Sequence, residues 1–487
     1  MFFVFELKDE NFRIELYQAI TIGTFVSVIY AFVQFLEIDE FTKKNMYHVS
    51  SFFEHKNVFS GFLFLSLPFA ILYYLNSSKW WRYFSILSLI LTLLFIGILQ
   101  TRSIYFSMAL SLLSSYLLYF KQINSFIKKK IILFSLALVM VLVLGISFKT
   151  WEKISISSLV KSESALERIK VWEKTIQLIK ENPVLGVGPG NWKYQYMKFG
   201  VGDIESVAFS LVSFQKPHND FLWILAENGL VGFLLFSSIL IYVLVIFIKK
   251  RKLNLSNTAK ICFIFLLGLL ADSFFSFPRE KISHIFLASI LLTLLIIELN
   301  PKYYNFSEKR QQLARFGFIV AVSFTLVISL FRFKGEYYSM KLFHAKHENN
   351  YKELIDSGKK GISLFYKTNL TSIPLQSYMG YGYNNLRKYD SLLQVSQEAY
   401  LISPYSFEVL NNYGFILEKF HQSNEAKKIL LESYRINPKY EMTLYNLVVL
   451  EFNIKNYTKS LFWLKKIPHF ETKYNKTYER ILRKIEL

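Results

Sequence analysis

Three side chains carry the chemical content of the sequence: Arg102 in Thr101-Arg102-Ser103, Arg168 in the first turn of a helical pattern, and His218 in Pro217-His218-Asn219-Asp220. A guanidinium is a planar fork of donors that grips phosphate oxygens bidentately, so two of them suit a phosphate-bearing lipid ligand. An imidazole titrates near neutral pH and takes a proton from a hydroxyl. Each residue also has a plainer reading. Arg102 near the end of an apolar run fits an anchor that snorkels to the interface, Arg168 a solvated helix residue, and His218 a helix-opening residue with no task. No cluster of Asp, Glu, His or Cys has metal-ligand spacing in the loops expected to face outward. No Ser-His-Asp arrangement is suggested, and the paired carboxylates of a glycosidase are not evident. Neither a metal nor a cofactor is expected.

The elements that must position these residues lie between Ser164 and Gly232. Ser164 with Glu167 fits a capping box. Ile169, Trp172, Ile176 and Ile179 recur at spacings of three and four, which predicts a helix with one apolar stripe. Pro183 and Gly186 end it. The run Gly186-Val187-Gly188-Pro189-Gly190 lacks the preceding strand and the Lys-Ser/Thr of a phosphate-binding loop, so it reads as a helix-ending turn. His218 is expected to open a second, hydrophobic helix where the chain leaves water for lipid.

The 487 residues are 52% hydrophobic and 18% aromatic, too apolar for a soluble chain of this length, so the class is membrane. The formal charge of +21 is gathered in short loops between apolar runs, which fits anionic headgroups and topology control rather than nucleic acid. Cys262, the single cysteine, sits in an apolar run, so no internal disulfide forms. Acidic residues precede the first apolar run and no small-residue cleavage site follows it, unlike a signal peptide.

A span needs about 20 mostly apolar residues. Nine runs qualify: Ile14–Leu36, Val58–Leu75, Tyr83–Leu99, Ile104–Phe120, Ile131–Phe148, Phe221–Ile248, Ile261–Phe275, Ile282–Leu299 and Phe316–Phe331. The third and fourth are joined by a tight turn at Gln100–Ser103. Basic clusters follow the second, fourth, sixth and eighth spans, all on one side, which the positive-inside rule makes cytoplasmic. The N-terminus is then cytoplasmic. The loop of about 149–217, the Gln100–Ser103 turn, the Ser276–Ser283 loop and the C-terminal part face outward. The expected fold is all-α: a membrane domain over 1–334 and a soluble domain over 335–487.

The C-terminal part repeats at 34 residues. Tyr400-Leu401-Ile402-Ser403-Pro404 recurs as Tyr434-Arg435-Ile436-Asn437-Pro438, Gly380 as Gly414, Asn412 as Asn446, and Ala426 as Ser460. A helical period of this length closed by Pro is the tetratricopeptide pattern, here three to four helix pairs. The ordinary role of such a stack is protein binding or packing.

Several short motifs stand in a telling order: His55-Lys56-Asn57-Val58-Phe59-Ser60-Gly61, Gln100-Thr101-Arg102-Ser103, Arg168-Ile169-Lys170-Val171-Trp172, Asn182-Pro183-Val184-Leu185-Gly186-Val187-Gly188-Pro189-Gly190, Pro217-His218-Asn219-Asp220-Phe221-Leu222, Glu227-Asn228-Gly229, Ala271-Asp272-Ser273 and Phe277-Pro278. This ordered set, over roughly residues 14–300, resembles the O-antigen ligase superfamily of bacterial polytopic membrane proteins. The resemblance implies a GT-C-like, metal-independent glycosyltransferase at the periplasmic face of the inner membrane. Its donor is a glycan on undecaprenyl pyrophosphate, and its acceptor is lipid A–core for a ligase, a growing chain for a polymerase, or a protein hydroxyl. Carried over by position, Arg102 and Arg168 bind the pyrophosphate, His218 is the general base, and Arg279 is a weaker phosphate candidate. The family has about twelve spans against the nine read here, and the first span resembles a middle one of the family, so whether N-terminal helices are missing stays open. The tetratricopeptide tail resembles an extension of some members and hints at a protein partner.

A second class of function stays open: a membrane scaffold or transporter with the repeats as docking platform. Ionisable residues are sparse within the spans, Asp272 excepted, whereas transporters bury such groups near the midplane. That favours the enzyme.

Overall fold

The computed structural model describes residues 6–38, 45–119, 163–250, 255–300 and 308–486. The described residues are helical, with two isolated β-bridges and no strand. They divide into two compact units. Unit 1 takes Met1–Ser162, His218–Ile224 and Gly232–Ile319; unit 2 takes Glu163–Pro217, Leu225–Val231 and Val320–Leu487.

Unit 1 is built on α1 (Glu10–Leu36), α2 (Lys56–Asn76), α3 (Lys79–Leu99), α4 (Arg102–Tyr119), and, after α5 (Glu163–Glu181) of unit 2, on α6 (Asp220–Lys250) apart from its Leu225–Val231 part, α7 (Asn257–Ser273) and α8 (Ile282–Leu299). A ninth long helix, α9 (Glu308–His347), leads out of it. Six of these, α1, α2, α3, α6, α8 and α9, are long and apolar enough to cross a membrane. The chain is a membrane protein, and only helices meet every backbone hydrogen bond within one segment in hydrocarbon. The expected fourth and seventh spans coincide with α4 and α7, whose described helices have 18 and 17 residues. The expected fifth span, Ile131–Phe148, lies outside the described residues.

Small residues set the packing of α4 on α7. Ser107, Ser111 and Ser114 are buried along one face of α4. The Ser111 hydroxyl donates to the Ile264 carbonyl at 3.3 Å, and a Cβ on Gly268 would come within 2.6 Å of Ser111 Oγ and 2.4 Å of Phe64 Cζ. Such close approach replaces the hydrophobic drive that lipid cannot supply. The helices are antiparallel: Tyr119 meets Asn257 at one end, and Phe106 meets Phe275 edge-on at 5.7 Å toward the other. At the Asn257 end, Arg13 pairs with Glu298 at 2.9 Å, and Glu298 also accepts from Ser256 at 2.7 Å.

Unit 2 joins α5 and the loop after it to the C-terminal helices α10 (Tyr351–Gly361), α11 (Leu375–Asn385), α12 (Tyr389–Ile402), α13 (Phe407–Lys419), α14 (Ser423–Ile436), α15 (Glu441–Asn453), α16 (Tyr457–Lys465) and α17 (Asn475–Ile485). Helices open 34 residues apart at Tyr389, Ser423 and Tyr457, and again at Phe407 and Glu441. Gly414 lets α13 lie on Leu430 of α14, where a Cβ would sit 2.7 Å from Leu430 Cγ. The loop is sewn to this stack. Val201 N–H donates to the Ile436 carbonyl at 2.7 Å, the buried Asn437 amide donates to the Ala208 carbonyl at 2.8 Å, and the Ser372 hydroxyl donates to Gln215 Oε1 at 2.5 Å. The Ile436-Asn437-Pro438 repeat element is thus a docking edge for the loop.

One expectation about α5 is corrected. Its buried face is Val171, Thr175 and Leu178, while Ile169 and Ile176 are exposed. The reason is the buried Trp192, whose indole N–H donates to the Thr175 hydroxyl at 3.0 Å and turns that face inward. The Glu167 carboxylate accepts from Ser206 N–H at 2.9 Å and so ties the helix to the loop. The Ser164 side chain of the expected capping box lies outside what is described.

The expected sixth span is not one unbroken helix. At Gly229 the backbone turns to φ 62°, ψ −167°. The Pro183–Gly188 stretch pairs with the opened turn. Val187 N–H donates to Ala226 O and Gly188 N–H to Glu227 O, both at 2.9 Å; Leu230 N–H donates to Pro183 O at 2.8 Å and Val231 N–H to Val184 O at 3.2 Å. The glycine turn after α5 therefore does more than end a helix. It supplies partners to backbone groups that the break sets free, groups that are costly when left bare in an apolar setting. Both key glycines have positive φ, and a Cβ on Gly186 or Gly229 would lie 2.4 or 2.2 Å from backbone atoms of the other strand of the clasp.

Gly186→Ala or Gly229→Ala is expected to lower stability by about 2–4 kcal/mol, from a forced left-handed conformation plus the overlap. Gly97→Ala, with nothing within 4 Å of the added Cβ, stays within about 1 kcal/mol of the parent. Thermal unfolding of the detergent-solubilised proteins checks both.

Candidate functional site

One end of unit 1 gathers the motif residues. Lys56, at the start of α2, donates from its ammonium to the Leu99 carbonyl at 3.1 Å. The Thr101 hydroxyl donates to Asn57 Oδ1 at 3.3 Å. Between them the chain turns at Gln100, in the left-handed region at φ 51°. The tight turn expected at Gln100–Ser103 is thus pinned by the Lys56-Asn57 pair. Arg102 follows as the first residue of α4, with its side chain exposed. A cation here coincides with the positive end of the helix dipole and its free N–H groups, a combination that attracts anions.

His55 caps α2: its Nδ1 accepts from Asn57 N–H at 3.0 Å. Burial first, and the Lys56 ammonium second, hold the ring below the ordinary histidine pKa. It therefore stays neutral and keeps its lone pair on Nδ1.

His218 does not open the following helix. The helix begins at Asp220, Asn219 caps it by accepting Leu222 N–H at 3.0 Å on Oδ1, and His218 stands outside it at φ 55°. A non-glycine residue held left-handed is uncommon, though histidine is among the better tolerated types. Its ring meets Phe277 edge-on, centroids 4.9 Å apart. The 276–283 loop bearing Phe277 is fastened to the same segment. Asp220, buried at 2% exposure, accepts Arg279 N–H at 3.1 Å on Oδ2, and its Oδ1 lies 3.7 Å from Arg279 Nε. The Arg279 guanidinium lies over the Trp223 ring at 4.6 Å. Lys281 in the same loop pairs with Glu54. Phe221 and Phe274 add a ring contact at 4.5 Å. Behind the loop, His284 is buried with its ring against Gly61, where a Cβ would fall 2.3 Å from Nε2.

Of the residues singled out by type, Arg102, His218 and Arg279 lie in unit 1, and the Phe106–Phe275, Phe221–Phe274 and His218–Phe277 contacts put them at one end of it. Arg168 belongs to unit 2, half-buried on α5. Nearby in unit 2, Trp172 Nε1 donates to the Pro217 carbonyl at 2.7 Å, fixing the residue that precedes His218. Asp220, Trp223, Lys56 and His284 have structural roles that the sequence reading missed. Asp220 and Lys56 carried a signal, as charged residues at the mouths of apolar runs; Trp223 and His284 carried none.

Residues 87–237 match the family model described as O-Antigen ligase (Wzy_C). The match takes in Arg102, Arg168 and His218; Arg279 and the His55–Gly61 motif lie outside it. It supports the O-antigen ligase superfamily resemblance and, at a coarse level, a membrane glycan ligase or polymerase. An uncharacterized protein of Haemophilus influenzae is 27% identical over 135 residues, which is 26% of this chain and 33% of the relative, so the matched part spans about a third of that protein's length.

Asp220→Ala removes the acceptor for Arg279 N–H and the carboxyl group facing its guanidinium. It is expected to raise amide hydrogen exchange across residues 277–281 at least tenfold, whereas Asp220→Asn, which keeps an acceptor, raises it less. The His55 cap is expected to weaken on acidification. A histidine pKa depressed by folding gives stability that is present above the ordinary value of about 6.5 and lost as pH falls through the depressed one. Thermal unfolding from pH 7 to pH 4 shows this as a slope that flattens in His55→Asn.

Proposed function

We propose that the chain transfers a glycan from undecaprenyl pyrophosphate to an acceptor hydroxyl, as a metal-independent membrane glycosyltransferase of the O-antigen ligase type. The acceptor oxygen attacks the anomeric carbon, His218 takes the hydroxyl proton, and the bond from that carbon to the pyrophosphate breaks. The undecaprenyl pyrophosphate leaves with the electron pair, its growing charge met by Arg102, Arg168 and, from the 276–283 loop, Arg279. Positioned guanidiniums act most strongly where charge develops in the transition state.

What supports this reading is the unusual placement of His218. It is outside its helix, left-handed, and edge-on to Phe277 beside a loop that Asp220 ties down through Arg279. Nine other described non-glycine residues share that positive φ, so it is the fastened loop beside His218, rather than the backbone angle, that marks it. The family match spans His218 and two of the arginines. Arg102 at the mouth of α4 adds an exposed cation at a helix N-terminus.

In the proposed arrangement residues 1–334 are the catalytic membrane domain, with the 149–217 loop and the C-terminal residues 335–487 on the periplasmic side of a bacterial inner membrane. The 34-residue helix spacing supports a tetratricopeptide-like stack. A stack whose edge already holds the loop is suited to shaping the acceptor side, which brings protein or growing glycan acceptors within the proposal alongside lipid A–core.

Membranes carrying the chain, given undecaprenyl-pyrophosphate glycan, are expected to transfer it. His218→Ala loses about 10²–10⁴-fold in rate, the range of a general base. Arg102→Ala or Arg168→Ala loses about 10²–10³-fold. Transfer at the parental rate by folded His218→Ala overturns the general-base role. No transfer by the folded parent turns the reading toward a scaffold.

A further inference from the structure

Unit 2 carries two tight turns whose tips are apolar and bare. The first is at Val184-Leu185, where Gly186 N–H closes the turn on the Asn182 carbonyl at 3.1 Å. Leu185 is 72% exposed and Val184 59%. The second is at Leu364-Phe365, where Ser363 and Tyr366 exchange both backbone hydrogen bonds, at 2.9 and 3.3 Å. Leu364 is 79% exposed. Turn tips are ordinarily Gly, Asn, Asp, Ser or Pro, whose backbones and side chains suit the turn. Leucines are as bare elsewhere on the unit, Leu370 at 74% and Leu211 at 77%, so what sets these two tips apart is their place beside long apolar helices.

Each tip sits beside the point where the long uncharged stretch of a helix stops, at the Gly229 kink of α6 and before Arg332 of α9. Val184 accepts the Val231 N–H and Pro183 the Leu230 N–H, so the first tip is level with Leu230-Val231. From Leu230 to the Lys249-Lys250 pair, α6 runs about 30 Å at 1.5 Å per residue, the thickness of a hydrocarbon core. If the lysines mark one boundary, Leu230 marks the other. The second tip is measured by a different helix. Phe365 meets the Phe331 ring at 5.8 Å, Gly335 lies under Tyr366, and the Tyr366 hydroxyl donates to Glu336 at 2.6 Å. From Arg315 to Lys334, α9 runs about 28 Å, with uncharged residues between except Arg332. Phe331 is therefore within a turn of the boundary at which Arg332 and Lys334 snorkel to headgroups.

On both helices the stretch between the basic residues and the tip is about as long as a hydrocarbon core is thick. We propose that Val184-Leu185 and Leu364-Phe365 insert into the boundary of the bilayer at the face where α6 and α9 emerge, anchoring unit 2 to lipid at two points besides its covalent links. The occupant of this surface is phospholipid, because both tips continue the apolar surface of a spanning helix. The inference stands apart from the glycan-transfer reading, since it depends only on the spans and on the two turns.

The test uses the full chain in vesicles of phosphatidylethanolamine and phosphatidylglycerol, with a nitroxide at Leu185→Cys or Leu364→Cys. Leu401→Cys, also exposed but on α12, serves as the aqueous reference. Cys262 is fully buried and is checked for labelling in the parent. Collision with oxygen is expected to exceed collision with a water-soluble nickel chelate several-fold at 185 and at 364, and the order to reverse at 401. A nitroxide at either tip that reads as aqueous overturns the proposal. So does one screened from both reagents, which would mean that protein, such as a second copy, covers the tip. As a check without substitutions, a photoactivatable phospholipid is expected to label peptides containing 183–187 and 362–367 in the unaltered chain. Absence of label from both overturns the proposal as well.

Discussion

The constraint that most of the structure answers to is that a backbone group in an apolar setting must have a hydrogen-bond partner. It is met routinely along the long helices. It is met in an unusual way at Gly229, where α6 breaks and the Pro183–Gly188 stretch supplies four hydrogen bonds to the opened turn. The clasp explains why two glycine-containing motifs 40 residues apart belong together. Each glycine gives the other strand room, and neither position tolerates a Cβ without overlap. It also fixes the loop. Glu227, buried in the clasp, accepts Trp192 N–H at 3.3 Å, and the Trp192 indole in turn reaches Thr175 on α5.

The candidate site follows the same logic with charge in place of backbone. Asp220 is a nearly inaccessible carboxylate at the mouth of a hydrophobic helix, and burying such a group is costly unless it is paired. Its partners, the Arg279 N–H and guanidinium, belong to the loop that brings Phe277 to His218. The buried carboxyl group thereby orders a loop. Lys56 does the corresponding work for Arg102, since its ammonium on the Leu99 carbonyl fixes the turn from which α4 starts.

Much of the fold was legible in the sequence. Apolar runs of about 20 residues carry their own instruction, because helix is what such a run can form in lipid. The 34-residue period reappears as helix starts at Tyr389, Ser423 and Tyr457. Arg102 and His218 were legible because charge beside an apolar run is costly and therefore conspicuous. The apolar stripe of α5 was misjudged because spacing alone cannot tell a face that meets protein from one that meets lipid or water. Ile169 and Ile176 have helical spacing, yet Trp192 chose the Thr175 face.

The sequence by itself determined composition, helix positions and the residue types at the site, since these depend on local hydrophobicity and on chemistry each side chain carries with it. Only the tertiary structure decided where His218 stands relative to its helix, which groups hold the 276–283 loop, and that the loop after α5 is sewn to the C-terminal helices. Those are contacts between residues tens to hundreds of positions apart. A glycine, an asparagine or a buried aspartate shows its purpose only once the chain has brought its partner alongside.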